Sequence, residues 1–171
     1  MKRLKKTLLI LLLIFPIISF SQPQMPLKEG KVFYEEIDSL SNGIKADLYN
    51  KSKVWFVNTF KSAKAVLQMD DKEAGNIMGK GLTGLDIGNV MTGSLRSYIN
   101  YTININLKDN KYRIQVYDIY VSNDNNTSYT PEYCLKYPKM NKKKLERIDS
   151  NVKDLIASFK AAIDKKQEDN F

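Results

Sequence analysis

A chain of 171 residues with 27 Lys and Arg against 19 Asp and Glu carries a formal charge of +8, yet it has no histidine and a single cysteine. Without histidine, Ser/His and Cys/His nucleophile activation, histidine general bases and most zinc sites are excluded. The lone Cys134 excludes an internal disulfide, and carboxylate-pair, lysine or tyrosine chemistry is what remains open.

The opening "MKRLKKTLLILLLIFPIISFSQPQ" reads as a secretory signal peptide over residues 1–21. Lys2, Arg3, Lys5 and Lys6 form a positive head, Thr7 to Ile18 an apolar run broken by Pro16, and Ser19 and Ser21 flank a cut near Ser21/Gln22. The run falls short of the roughly 20 residues a spanning helix needs. No cysteine lies at the cut to carry a lipid, so the product is expected to be exported, periplasmic or extracellular, soluble, and not a lipoprotein. No later segment is apolar enough to span a bilayer. Removing the head leaves 23 cations against 19 acids. That mild excess, together with export, argues against a nucleic-acid partner.

Residues 22–29, with Pro23 and Pro26, are expected to be an extended lead-in, residues 30–165 a single domain, and residues 166–171 a charged tail. "GKVFYEEI" alternates partly and predicts a first strand. Ile44 to Phe60 places Leu48, Ser52, Trp55, Phe56 and Phe60 on one side at helical spacing, so Trp55 is read as a core residue of an amphipathic helix. "KAVLQM" predicts the next strand, Asp70 to Glu73 a turn, and "AGNIMGKGLTGLDI" a return strand.

That hairpin contains a glycine-flanked lysine and three carboxylates, which raises phosphate and metal chemistry. A Walker loop needs four residues between its glycine and Gly-Lys-Ser/Thr, whereas three separate Gly75 from Gly79-Lys80-Gly81 and no helical pattern follows. Asp70, Asp71 and Glu73 lack the alternating ligands and central glycine of a calcium loop. A solvated turn is the reading, with the glycines at 75, 79, 81 and 84 marking bulges or a bent strand. No metal and no cofactor is expected. Asp86 to Ser94 reads as a flexible connection.

Ile99, Tyr101, Ile103, Ile105 and Leu107 alternate with Asn100, Thr102, Asn104 and Asn106, which predicts a strand with one buried and one polar face. "KDNK" is a two-residue hairpin signal centred on Asp109 and Asn110. It sets Leu107 opposite Tyr112, and Asn106, Asn104 and Thr102 opposite Arg113, Gln115 and Tyr117. These six polar groups, Thr102, Asn104, Asn106, Arg113, Gln115 and Tyr117, are the candidate ligand-binding set. Asp118 is expected to point toward the helix layer as a hydrogen-bond acceptor. Ser122 to Pro131 reads as a long polar loop. Leu145, Ile148, Val152, Leu155, Ile156, Phe159 and Ile163 mark the strongest helix.

This order, β-α-β-β-β-β-α, is an α+β layer: a curved antiparallel sheet with helices on one face, the helix-grip arrangement. The segments "YNKSKVWFVNTFKSAKAVLQMDDKEAGNIMGKG" and "YTININLKDNKYRIQVYDI" resemble exported bacterial proteins grouped as domain of unknown function 4468, and the likeness covers roughly Tyr34 to Phe159. The resemblance implies a TBP-like fold and an origin among Bacteroidota-like bacteria. It implies no activity and transfers no catalytic residue, and a fold name that evokes DNA is not a function.

Three functions compete. A non-catalytic binding or assembly module of the cell envelope would use the polar sheet face, whose amides and phenol suit a glycan or an extended peptide and whose Arg113 suits a carboxylate. An envelope hydrolase would need a carboxylate pair, but Asp70 and Glu73 sit on a turn and Glu35 and Glu36 alternate faces. A protein-docking module would use the C-terminal helix or a sheet edge. Cys134 lacks a histidine partner and reads as a packed or free thiol. The first reading is preferred, with no catalytic residue and an unknown envelope protein, peptide or glycan as partner.

Overall fold

The structure is a computed structural model and describes residues 25–60, 67–85 and 97–165. The signal segment, the connection at 86–96, residues 61–66 and the charged tail lie outside the described residues, so those expectations are not addressed by it.

Strands β1 (Leu27–Lys28) and β2 (Lys31–Val32) form a small hairpin. Glu29 and Gly30 close it with φ of 52° and 76°. A two-residue turn with both φ positive matches the natural twist of the strands it joins. The end of the lead-in, Leu27–Lys28, is thus a strand paired with β2.

The rest follows as β3 (Tyr34–Ser39), α1 (Lys45–Thr59), β4 (Leu67–Asp71), β5 (Asn76–Leu85), β6 (Ser97–Lys108), β7 (Lys111–Asn123), β8 (Ser128–Tyr129), α2 (Pro131–Leu135) and α3 (Pro138–Asp164). Strands β4 to β7 make the expected antiparallel meander, and β3 closes it in the order β3-β7-β6-β5-β4, with β8 also on β7. The four-residue "DDKE" turn is displaced: Asp70 and Asp71 complete β4, and Lys72–Gly75 turn instead. Gly75, at φ 67°, supplies the left-handed residue there, and its carbonyl accepts the Leu107 N–H at 2.7 Å.

The Asp109–Asn110 turn sets the register from the sequence as far as Thr102↔Tyr117. Beyond it the pairing shifts by one residue, and Asp118 takes φ 52° in a β-bulge. The bulge overturns the expected orientation of Asp118. It is exposed, and its Oδ2 accepts from Thr102 Oγ1 at 3.4 Å on the polar face rather than under the helices.

The expected long loop at Ser122 to Pro131 is a tight hairpin joining β7 to β8. Asn123 N–H donates to Thr127 O at 2.9 Å, Asn126 N–H to Asn123 O at 3.0 Å, and Thr127 Oγ1 to Asn125 Oδ1 at 2.7 Å. Asn and Thr side chains replace water as turn partners here, which polarity alone does not reveal. Thr130 Oγ1 then accepts from Tyr133 N–H and starts α2, with Pro131 at its first turn.

The core lies between the sheet and α1 with α3. Leu48, Ser52, Trp55, Phe56 and Phe60 are buried, as are all seven residues of the α3 stripe. Trp55 meets Phe159 edge to face at 5.1 Å and donates its indole N–H to Ser158 Oγ at 3.0 Å. Phe159 meets Tyr112 of β7 at 5.3 Å, so the two helices and the sheet share one aromatic junction. Tyr101 lies flat over Gly81, where an added Cβ would fall 2.1 Å from Tyr101 Cε2.

Candidate functional site

The helices pack on one face of the sheet, and no described helix covers the other. On that face the structure brings all six candidate residues together in three cross-strand pairs, Thr102↔Tyr117, Asn104↔Gln115 and Asn106↔Arg113. Four of them form a connected row with Glu35, while Thr102 bonds Asp118 and Tyr117 packs on Phe33. Asn104 Nδ2 donates to Gln115 Oε1 at 3.1 Å, and Gln115 Nε2 donates to Glu35 Oε2. Arg113 Nε and NH2 both donate to Asn106 Oδ1, at 3.1 and 2.7 Å, while NH1 lies 3.8 Å from Glu35 Oε2.

Crowding by these long side chains leaves Thr102 and Gln115 each only 8% exposed. Asn104 Oδ1 is buried without a hydrogen-bond partner, an acceptor that costs about 1–3 kcal/mol to leave unmet. At the Arg113 end the row opens: the guanidinium side chain is 41% exposed, and Ile37, 52% exposed, stands beside it. Ile37, Asn106, Lys108, Lys111, Tyr112 and Arg113 line a hollow of about 260 Å³.

At the Tyr117 end, Phe33 stacks on Tyr117 with centroids 5.7 Å apart, and Lys28 Nζ lies 4.7 Å above the Phe33 ring. Burial, then the charge of Asp118, raises the Tyr117 phenol above its ordinary pKa. This end opens into a cleft of about 610 Å³ between the N-terminal hairpin and the bulge. Tyr117 OH also meets Met78 Sδ at 3.6 Å.

A family model for a domain of unknown function with a TBP-like fold, DUF4468, matches residues 33–122, which is more than half of the chain. The chain belongs to this family. Among solved structures, this DUF4468 domain is similar to a DUF4468 family protein from Bacteroides ovatus ATCC 8483, with a TM-score of 0.71 and 16% identity over 85% of this chain and 94% of that one. A TBP-like protein from Parabacteroides distasonis ATCC 8503 gives 0.70 and 21% identity over 83% and 98%. Both likenesses show the fold, which is TBP-like. No curated protein matches the sequence.

The matched span is shorter than the resemblance read from the sequence, since it stops within β7 and leaves β8, α2 and α3 outside. It nevertheless holds the whole candidate face of the DUF4468 domain, from Phe33 and Glu35 to Tyr117. Glu35, the group that joins the two halves of the row, is absent from the sequence-derived set. It becomes visible only through the pairing of Glu35 with Gln115, which joins strands 80 residues apart.

Of the carboxylates weighed for catalysis in the DUF4468 domain, those of Glu35, Glu36 and Asp70 are held by other groups. Glu35 is on the polar face, while Glu36 bonds Lys160 of α3 on the helix side. Asp70 is bonded by Lys53 and by Tyr49, which hold its carboxyl below the usual range. Glu73 offers its backbone carbonyl to Lys45 Nζ at 2.7 Å. Cys134 is buried, and burial raises its thiol pKa. Among the described residues no three His, Cys, Asp or Glu group in a way that could hold a metal ion.

Proposed function

We propose that the protein is an exported, non-catalytic binding or assembly module of a Bacteroidota cell envelope, which engages an extended peptide or glycan through the polar sheet face. The observation that carries this is the row Asn104–Gln115–Glu35–Arg113–Asn106, fixed side chain to side chain on a face that no described helix covers. A pre-set row loses little rotamer freedom when a ligand arrives, which is the property a recognition surface needs. Its open end, with Arg113, Lys108 and Lys111 around Ile37, suits a carboxylate on an otherwise apolar group. The commitment of the Glu35, Glu36 and Asp70 carboxylates to structural partners supports a non-catalytic reading. The signal-like N-terminus and the origin of the structural neighbours support export and the bacterial group.

The test is amide NMR of residues 22–171, labelled with nitrogen-15, titrated with peptidoglycan fragments, polysaccharide and soluble envelope extract. Shifts gathered on Asn104, Asn106, Arg113 and Gln115, and lost in Arg113→Ala, are expected for one fraction. A silent spectrum with every fraction would sink the reading.

A further inference from the structure

The corner between α2 and α3 lies outside the candidate face and carries a different chemistry. Tyr133 and Tyr137 are 58% and 55% exposed and meet edge to face at 6.3 Å, and Met140 is 86% exposed. Asn141 Nδ2 donates to Tyr137 O at 3.1 Å and fixes the corner. Between Tyr133 and Arg147 the chain has six cations, Lys136, Lys139, Lys142, Lys143, Lys144 and Arg147, against one acid, Glu146. Glu146 is paired with Lys142 at 3.8 Å. The neighbouring Glu132 is turned away, accepting the Val32 N–H at 2.7 Å.

At about 100° per residue, Lys139, Lys143, Met140 and Lys144 fall within one arc of roughly 140°, opposite buried Leu145. Met140 is therefore an exposed apolar tip on a face that carries exposed Lys139 and Lys143, with Lys144 turned over the Tyr129 ring at 4.9 Å and two exposed phenols nearby. Scattered exposed apolar residues are ordinary, and a lysine-rich helix face is usually just solvated. An exposed thioether on such a lysine-bearing face, beside two exposed tyrosines, is a different pattern. Lysines attract anionic headgroups, phenols settle at the headgroup level, and the thioether enters the acyl boundary.

We propose that this corner is a peripheral docking surface for an anionic phospholipid membrane. No helix among the described residues is long and apolar enough to cross a membrane, and none is needed for this mode. A polymer that offers phosphates alone would satisfy the lysines and leave Met140 in water, so the lipid surface is the better match. The surface shares no residue with the polar sheet face, and its test stands apart from that reading.

The experiment is cosedimentation of residues 22–171 with vesicles of phosphatidylcholine, with and without phosphatidylglycerol. Removing residues 1–21 removes the apolar run that would bind lipid by itself. Binding is expected only with the anionic lipid and is expected to weaken with salt. Each lysine contributes about fivefold, so Lys136→Ser with Lys139→Ser and Lys143→Ser reduces partitioning by about 100-fold. Tyr137→Ser with Met140→Ser reduces it by about tenfold with the charge unchanged. A charge-matched control, Lys72→Ser with Lys153→Ser and Lys165→Ser, retains binding. All these residues are exposed, and circular dichroism confirms folding of each variant. Equal loss in the control, no effect of the tyrosine and methionine changes, or no anionic-vesicle binding would each overturn the proposal. Capture by an acidic polysaccharide or nucleic acid without lipid binding would overturn it as well.

Discussion

Asp109 Oδ1 accepts the backbone N–H of Lys45 at 2.8 Å, across 64 residues of sequence. Ile44, which precedes α1, has no side chain to cap the helix, so the β6–β7 turn does so from outside. Asn110 of the same turn accepts the Gly43 N–H at 2.8 Å and donates its own N–H to Gly43 O at 2.6 Å. Replacing Asp109 by Ala is expected to cost about 1 kcal/mol, as for other lost caps, and Asp109→Asn less than half of that. Urea unfolding of both variants checks this. Equal stability of Asp109→Ala and the parent would remove the cap from the account.

Two glycines of β5 should behave differently. Gly81 faces Tyr101, and an alanine there must displace the ring, at a cost of about 1–3 kcal/mol. Gly84 has nothing within 4 Å of the added carbon, so Gly84→Ala should lie within about 0.5 kcal/mol of the parent. Thermal melts of the pair separate close approach from a general intolerance of β5 to side chains.

How far such contacts can be read from the chain depends on how local they are. The alternation from Ile99 to Leu107 and the spacing from Leu145 to Ile163 each repeat within one element, and the two-residue turn at Asp109 carries the register into the next strand. The register slips at Asp118 because a bulge needs only one residue at positive φ, and Tyr-Asp-Ile has no glycine to announce it. Period two alone puts the six polar residues on one face of the sheet. The closure of Asn104, Asn106, Arg113 and Gln115 through Glu35 is not legible, because it depends on β3 reaching β7 from the far end of the domain.

The Trp55–Phe159–Tyr112 junction ties both helices to the sheet. Phe159→Ala should cost about 3–5 kcal/mol. Trp55 is the sole tryptophan, so its emission reports the loss directly. A red shift in the native state together with a lower unfolding midpoint is expected. An unchanged spectrum would mean that Phe159 does not shield the indole.

Alkaline pH should unfold the protein through its tyrosines. Burial is the leading cause that raises Tyr49, Tyr101, Tyr112 and Tyr129 to about 12, and Tyr34 further, with Asp149 adding to it. These folded values lie above the unfolded value near 10, so the native state keeps protons that the unfolded chain releases. Their contribution is complete below about pH 10 and is lost as pH rises toward the folded values, at about 1.4 kcal/mol per pH unit for each tyrosine. Tyr101→Phe should flatten the slope by one such increment, because its hydroxyl has only a 3.4 Å contact with Thr83. Urea midpoints between pH 9 and 11.5 that decline equally in parent and variant would contradict this.

The placement of β3 beside β7 has a kinetic meaning. The N-terminal strand finds its neighbour only after more than 70 further residues have been made, and α1 waits for the same hairpin to supply its cap. Non-local pairing of this kind slows folding relative to local contacts. The meander from β5 to β7 can form by itself from adjacent strands, whereas the first third of the chain has no place to dock until that meander exists. Until β7 is complete, at Asn123, the first third of such a nascent chain stays undocked and its helix uncapped.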